Sequence, residues 1–335
     1  MITNNSASHH DRTLAAYVHT GRRSLTHTER QLTEFGRLLA DYLAADSDAL
    51  DALLSYARAD QRRFRESVGY RASNAPLLTA PGSQTKLGKS STPTYGLMLV
   101  PERGFGKHDG RMLNLCPAAS AGCAAACLNT SGKGRLSSVQ QARQHRLRFI
   151  LEHPNAAACI LASEIRAALA KHGGRILLRL NVVSDIRWEL IAANALRRLH
   201  TMGVGLYDYS AWSPKHRAPM AFYHLTYSRK EHHSAEYVSR VVARGDNVAV
   251  VFDTKRGEPL PDYWQGHQVI DGDKSDDRTL DPTGVIVGLR AKGKAIGTSD
   301  GFVVHVDYQD DAFGEPDPDT MAPVMGRAVE WSLGL

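Results

Sequence analysis

Short apolar runs recur through the second half of the chain, and helical text separates some of them. The runs are RILLRLNVV (175–183), VGLYDYS (204–210), AFYHLTYS (221–228), NVAVVFD (247–253), HQVIDGD (267–273) and GVIVGL (284–289). Helical text fills 187–201 and 230–244. Runs this short, rich in Val, Ile, Leu and Tyr, read as buried strands. Strands alternating with helices imply crossover connections, and crossovers build a mostly parallel sheet. A further run, YGLMLV (95–100), is the first strand of the series. Many runs end in polar residues, and parallel barrels carry their chemistry at the C-terminal ends of their strands. Some connections are too short for a full helix. The expected fold is therefore α/β, an irregular or incomplete (β/α) barrel.

The N-terminal text differs. Residues 1–25 are polar and read as a loose N-terminus. Over 27–45, Leu32, Phe35, Leu38, Leu39, Tyr42 and Leu43 recur at helical spacing. Ser47 or Asp48 is placed to cap a second helix carrying Leu50, Leu53, Leu54 and Tyr56. Residues 26–70 thus predict a helical hairpin. The stretch 70–93, rich in Ser, Pro and Gly, reads as a linker or long loop. The main domain is expected over 90–310 and a C-terminal extension over 311–335. Within the main domain, helices are expected at about 138–152 and at 154–172, the second opened by Pro154 and closed by Gly173 and Gly174.

Three of the four cysteines fall within twelve residues, in LNLCPAASAGCAAACLNTSGKG. Cys123 and Cys127 are four apart, so a helix would bring both thiols to one face. Cys116, before Pro117, sits on the incoming loop. The chain has no apolar run long enough to span a membrane, and its N-terminus lacks the apolar stretch of a signal peptide. A cytoplasmic location is expected, where thiols stay reduced and clustered cysteines bind metal more often than they pair. Three converging thiolates suit zinc or an iron–sulfur cluster. The spacing, C-x6-C-x3-C, is neither that of a paired zinc ribbon nor that of the ferredoxins. It also differs from the C-x3-C-x2-C of the common radical S-adenosylmethionine enzymes, although those too place three thiolates ahead of a barrel. Cys159, on the helix at 154–172, points away from its main apolar stripe and is a candidate fourth ligand or a second buried face.

Other motifs mark the expected strand ends. In RLNVVSDIRWE (179–189), Asn181, Ser184 and Asp185 leave a strand; Ser184 or Asp185 is either a helix cap or a ligand at the barrel mouth. Asp208, Tyr209, His224, Tyr227, Asp271 and Asp273 end other strands. Asp271, Asp273, Asp276 and Asp277 crowd one loop, which does not follow the EF-hand pattern. It is a solvated acidic loop, or one bonded to substrate or arginines. Lys292 and Lys294 offer positive charge for an anion. We take Asp185, Tyr209, His224 and Asp271 as catalytic candidates, and Asn181, Ser184, Asp208, Tyr227, Asp273 and Lys292 as binding candidates. Cys116, Cys123, Cys127 and Cys159 are the metal candidates. The net charge of +6 permits a nucleic-acid or other anionic partner. The densest basic group is Lys133, Arg135, Arg143, His145, Arg146 and Arg148, either a solvated helix face or a phosphate contact.

From about Thr92 to Val306 the chain resembles the bacteriophage "gene product 88" domain family. The resemblance rests on CPAASAGCAAACL (116–128), VQQARQHR (139–146), RLNVVSDIRWE, YDYS (207–210), YHLTYS (223–228), NVAVVF (247–252), VIDGDKSDDR (269–278) and VGLRAKG (287–293). It implies a cysteine-cluster protein of phage type, in the host cytoplasm if phage-encoded, and an iron–sulfur centre. It assigns no substrate. The expectation is an iron–sulfur (4Fe-4S) protein leaning to redox or radical-type enzymology on a small-molecule or anionic substrate. The alternatives are a nucleic-acid-binding protein with structural zinc, or a non-catalytic protein that binds a host factor.

Overall fold

The computed structural model describes residues 24–70, 74–82, 90–130 and 132–306. Of the loose N-terminus expected over 1–25, residues 1–23 lie outside the described residues, as does the whole C-terminal extension expected over 311–335. The chain opens with two helices, α1 (His27–Ala44) and α2 (Ser47–Ser67). Thr26 caps α1 in a reciprocal box: its hydroxyl accepts from Glu29 N at 3.1 Å, and Glu29 Oε2 accepts from Thr26 N at 2.8 Å. Asp46 caps α2 by accepting from Ala49 N, one residue ahead of the cap expected at Ser47 or Asp48.

The segment read as a linker holds a strand. β1 (Leu78–Thr79) pairs antiparallel with β2 (Thr94–Leu97). Glu164 holds this stretch by accepting from Leu77 N and Leu78 N at 2.9 Å. A small hairpin, β3 (Lys107–His108) and β4 (Arg111–Met112), leads into the cysteine segment with its one short helix, α3 (Ala121–Ala125). Next come α4 (Ser137–Glu152) and α5 (Pro154–Lys171), β5 (Ile176–Arg179), α6 (Trp188–Ile191), α7 (Ala193–Thr201), β6 (Val204–Ser210) and β7 (Tyr223–Ser228). The chain continues through α8 (Ala235–Val242), β8 (Asn247–Phe252), β9 (Tyr263–Trp264), β10 (His267–Asp271), β11 (Ile286–Arg290) and β12 (Val303–Val304).

The main sheet runs β1-β2-β5-β6-β7-β8-β11-β10-β9, with β12 added along β8. From β2 to β10 every pairing is parallel. This is the mixed α/β architecture with a mostly parallel sheet and N-terminal helices. The pairings do not close into a ring: β1 and β9 stand at opposite edges.

Strand periodicity and register divide the sheet into two unlike faces. Ile176, Leu178, Val204, Leu206 and Tyr223 share one face and join the main apolar core with α1, α2, α4, α5 and α7. Val248, Val250, Phe252 and Ile286 continue that face and pack under α8. The opposite face carries Thr94, Arg179, Tyr207, Tyr209, His224 and Thr226, and the turn at 278–280 lies against it.

The N-terminal helices are bound into this core by charge as well as by Leu32, Phe35 and Leu39. Arg187 Nε donates to Glu29 Oε1 at 2.8 Å and its Nη2 to Oε2 at 2.6 Å, with both side chains buried. Arg187 also donates to the carbonyls of Ser24 and His216, and its guanidinium lies 4.2 Å from the Trp212 ring centre. Burial pushes the Glu29 carboxyl up, but the hydrogen bonds and charge of Arg187 outweigh it, and the net direction is down. Glu29 therefore stabilises the fold above its unfolded pKa, and this contribution is lost as pH falls through the lower folded value.

Two outcomes follow from this packing. Glu29→Gln leaves Arg187 with a buried charge and should cost about 3–5 kcal/mol in chemical denaturation at neutral pH, a deficit that narrows in acid. Gly36→Ala should destabilise by about 1–3 kcal/mol. A Cβ there would lie 2.4 Å from the Ile191 carbonyl oxygen, a backbone atom that cannot swing aside.

Candidate functional site

The three clustered cysteines lie on the segment that joins β2 to α4, beyond the C-terminal end of β2. Cys116 sits on a loop pinned to the exit of β5. Its Sγ lies 3.7 Å from the Val183 carbonyl, and Asp185 N donates to Leu115 O at 2.8 Å. Cys123 is inside α3, whose start is capped by Ser120 accepting from Cys123 N. Cys127 lies two residues past the helix end, with its backbone N donating to Ala124 O. The expected helical face thus holds only in part, because α3 is a single turn and Cys127 is delivered by the turn that follows.

Glu231, beyond the end of β7, fastens α3. It accepts from Ser120 Oγ at 2.5 Å and from Gly122 N at 3.1 Å. Gly122 must be glycine here, since a Cβ would meet Phe302 Cβ at 2.5 Å. The site is therefore assembled from the exits of β2, β5 and β7, all at one end of the parallel sheet.

None of the three thiols is in a disulfide, and all three are half-buried. Burial raises the Cys116 thiol, and the charges of Asp185, Cys127 and Cys123 raise it further. Burial likewise pushes Cys123 up to about 12, with Cys127 and Asp185 adding to the effect and Lys230 opposing it. Each cysteine thus lies within electrostatic reach of the others, and Asp185 lies within reach of Cys116 and Cys123. Two cations border them. Lys230 feels the charge of Asp185 and Cys123, and Arg143, buried and bonded to Asn129 Oδ1, feels Cys127. Among the described residues, no three His, Cys, Asp or Glu side chains form a group placed to hold a metal ion.

Cys159 is elsewhere. It is 1% exposed in the α5 side of the apolar core, where Tyr42 and Arg58 are its electrostatic neighbours.

Asp185 is buried and structurally engaged. It accepts from Ala211 N at 2.7 Å and from Arg217 Nη1 at 3.2 Å. Arg217 also donates twice to Glu189, at 2.7 and 2.8 Å, and once to Ser210 at 2.9 Å. Burial raises the Asp185 carboxyl against the pull of Arg217. The helix after this loop starts at Trp188 with no side-chain cap, so neither Ser184 nor Asp185 caps it. Asn181 shapes the loop instead, its Oδ1 accepting from Ser184 Oγ, Ile186 N and Trp188 Nε1.

The remaining candidates do not gather at the cysteines. Asp208 is fully buried and accepts from Leu180 N, Asn181 N and Tyr223 Oη; burial pushes its carboxyl up to about 6. Tyr209 stands on the opposite sheet face, 5.3 Å from the Arg179 guanidinium, and His224 on that face is exposed. Tyr227 is packed under α8 in the second core cluster. Asp271 and Asp273 are tied to Arg290, at 2.9 and 3.4 Å, and Asp273 also meets Lys292. These pairs bind the ends of β10 and β11 together, so the arginine-bonded reading of that acidic loop is the one found. The basic stretch after the cysteines is split. Arg148 is exposed and paired with Glu152, whereas Arg143 is buried and Arg146 donates inward to Met98 O at 2.5 Å.

Sequence reasoning missed Lys230, Glu231 and Arg217. The first two directly follow a strand end in TYSRKE, the same positional signal that selected Asp185. Arg217 follows β6 and a short turn and had no such signal.

No helix among the described residues is long and apolar enough to cross a membrane. No curated protein and no solved structure matches the chain. A family model described as Gene product 88 matches residues 69–305, which take in the cysteine segment and the whole parallel sheet. The chain belongs to this family, Gene product 88, a domain of bacteriophage type.

Proposed function

We propose that the chain is an iron–sulfur protein whose cluster is held by Cys116, Cys123 and Cys127. The observation that carries this reading is three half-buried thiols, none in a disulfide, on a segment pinned to the exits of the parallel strands β5 and β7. The donor set fits a cluster better than zinc. Structural zinc takes four ligands in a closed tetrahedron, and here Cys159 is in the core, which leaves three clustered thiols. A cluster accepts soft thiolates and spreads their charge over several irons. When bound, it would supply one-electron chemistry.

The chain's own residues shape that site. Lys230 and Arg143 offset the negative charge of thiolate ligands. Glu231 and Ser120 hold α3 so that Cys123 faces its partners. Asp185 holds the β5 exit through Arg217 and is a positioning residue. With one cluster position left without a protein thiolate, the reading leans to a redox or radical-type enzyme acting on a small-molecule or anionic substrate. The finer barrel description belongs to the same reading: a one-sided, seven-strand parallel sheet is an incomplete barrel whose mouth is the cysteine end.

Anaerobic reconstitution with iron and sulfide tests this. The expected product is brown, with a broad band at about 400 nm and roughly four irons per chain. Colourless protein after reconstitution, or one zinc and no iron, overturns it in favour of a structural metal. Cys123→Ser should lose most of the band, since a hydroxyl is a poor ligand for soft metal. Asp185→Ala should behave differently. It strands the Arg217 charge and should cost about 3–5 kcal/mol of stability, while iron per folded chain stays unchanged.

Loading should also depend on pH. The Cys116 and Cys123 thiols are held protonated by burial. Ligation must release their protons, so metal affinity should climb steadily between about pH 6 and about pH 8, and a proton-release measurement reads the count.

A further inference from the structure

The helix-free face of the sheet holds a guanidinium whose donors are unused. Arg179 ends β5 and is 3% exposed. It donates no hydrogen bond to any described residue, and its Nε is fully buried without a partner. Arg143 and Arg278 also leave Nε without a partner, but each donates a hydrogen bond from another nitrogen, Arg143 to Asn129 and Arg278 to Ser275 O. Arg187 and Arg217 each donate to two carboxylate oxygens of one glutamate and to further acceptors. Arg179 has Asp208 Oδ1 only at 3.8 Å, too long for a hydrogen bond. That carboxylate is already taken by two backbone N–H groups and the Tyr223 hydroxyl.

The surroundings of Arg179 are built to hold it flat. The Tyr207 and Tyr209 ring centres each lie 5.3 Å from its guanidinium carbon, within cation–π distance. The Tyr207 hydroxyl is buried and has no hydrogen-bond partner. A second guanidinium, Arg278, approaches from the turn covering this face. It is 4% exposed, and its Nε and Nη1 also lack hydrogen-bond acceptors, although Nη1 is 3.2 Å from Asp281. Tyr209 feels the charge of both arginines. Asp208 and Asp276 act on Arg179 as charges only. Buried donors left unbonded in a native fold point to an acceptor outside the chain, a water or an ion. A planar or tetrahedral oxyanion supplies several acceptor oxygens, and guanidinium groups match its geometry.

We propose that the helix-free face between Arg179, Tyr207 and Arg278 is a binding site for the carboxylate or phosphate group of a small molecule. The site shares no residue with the cysteines, so it stands or falls independently of the cluster.

The test is calorimetric titration of the full chain, as isolated, with inorganic phosphate and with acetate at fixed ionic strength, chloride serving as control. Saturable heat with phosphate alone identifies a phosphate group; with acetate alone, a carboxylate. Tyr207→Phe removes a hydroxyl that bonds nothing in the protein, so its melting temperature should hold while anion affinity falls about tenfold. Arg179→Met should abolish binding, and should that variant fail to fold, Tyr207→Phe decides. No response beyond chloride for either anion overturns the proposal, as does unchanged affinity in Tyr207→Phe. A variant with all three clustered cysteines changed to Ser must keep anion binding, which separates failure of this site from failure of the cluster.

Discussion

The ion pairs of Arg217 are the contact on which the functional end of this protein depends. Arg217 is fully buried, yet it joins Glu189 on α6, Asp185 on the loop leaving β5, and Ser210 at the end of β6. A buried charge is tolerated only when its hydrogen bonds are complete, and removing one partner leaves the other stranded. The three elements must therefore stay in one arrangement. Asp185 passes this constraint on, because its backbone N donates to Leu115, the residue before Cys116. Arg187 and Glu29 do the same for α1, alongside the Arg58–Glu164 pair on α2 and the hydrogen bonds of Arg166 to the end of α1. Such pairs add specificity of geometry more than net stability.

One face of the sheet is apolar and takes all the long helices; the other is mixed, with Arg179, Tyr207 and Tyr209 beside the buried Leu177 and Val287, and the turn at 278–280 lies against it. This asymmetry explains why the strands are not uniformly apolar, as strands of a sheet covered by helices on both faces are. It also explains why Arg179, Tyr207 and Tyr209 can sit in strand interiors. Their side chains enter a polar compartment, while Leu178, Leu206 and Tyr223, one register away, enter the core. A one-residue slip in β5 or β6 would exchange these environments, so burial of the apolar face fixes the register. The same geometry gathers the strand exits at one end, where backbone groups beyond the sheet are available to hold a loop such as the cysteine segment.

Much of the architecture was legible in the sequence. Helical spacing placed α1 and α4 and the start of α2 to within a residue or two, and Pro154 with Gly173 and Gly174 bounded α5, because amphipathic periodicity and helix end signals are strong local cues. The strands were found as apolar runs, but RILLRLNVV was read too long. The paired strand stops at Arg179, where Asp208 takes the next two backbone N–H groups and turns the chain away. Strand β1 was missed inside a Ser-, Pro- and Gly-rich stretch, since its partner for Leu77 and Leu78 is Glu164, about ninety residues away. The parallel sheet was legible, but whether it closes was not, because pairing at the edges is a property of three-dimensional neighbours.

The site divides along the same line. Sequence alone placed Cys116, Cys123 and Cys127 within twelve residues of one another, and folding leaves them within electrostatic reach. Sequence also determined that polar residues cluster at strand ends. Only the tertiary structure decided what those residues do. Asp185 serves Arg217, Asn181 folds its own loop, and Asp271 and Asp273 serve Arg290, because each is buried beside a donor brought from a distant element. Cys159 went to the core for a comparable reason: α5 is covered on both sides, by α1 and α2 as well as by the sheet, so the face opposite its main stripe is buried too. Local pattern records which face of an element is apolar. Which partner satisfies a buried polar group depends on contacts far apart in the chain, and these exist only once it has folded.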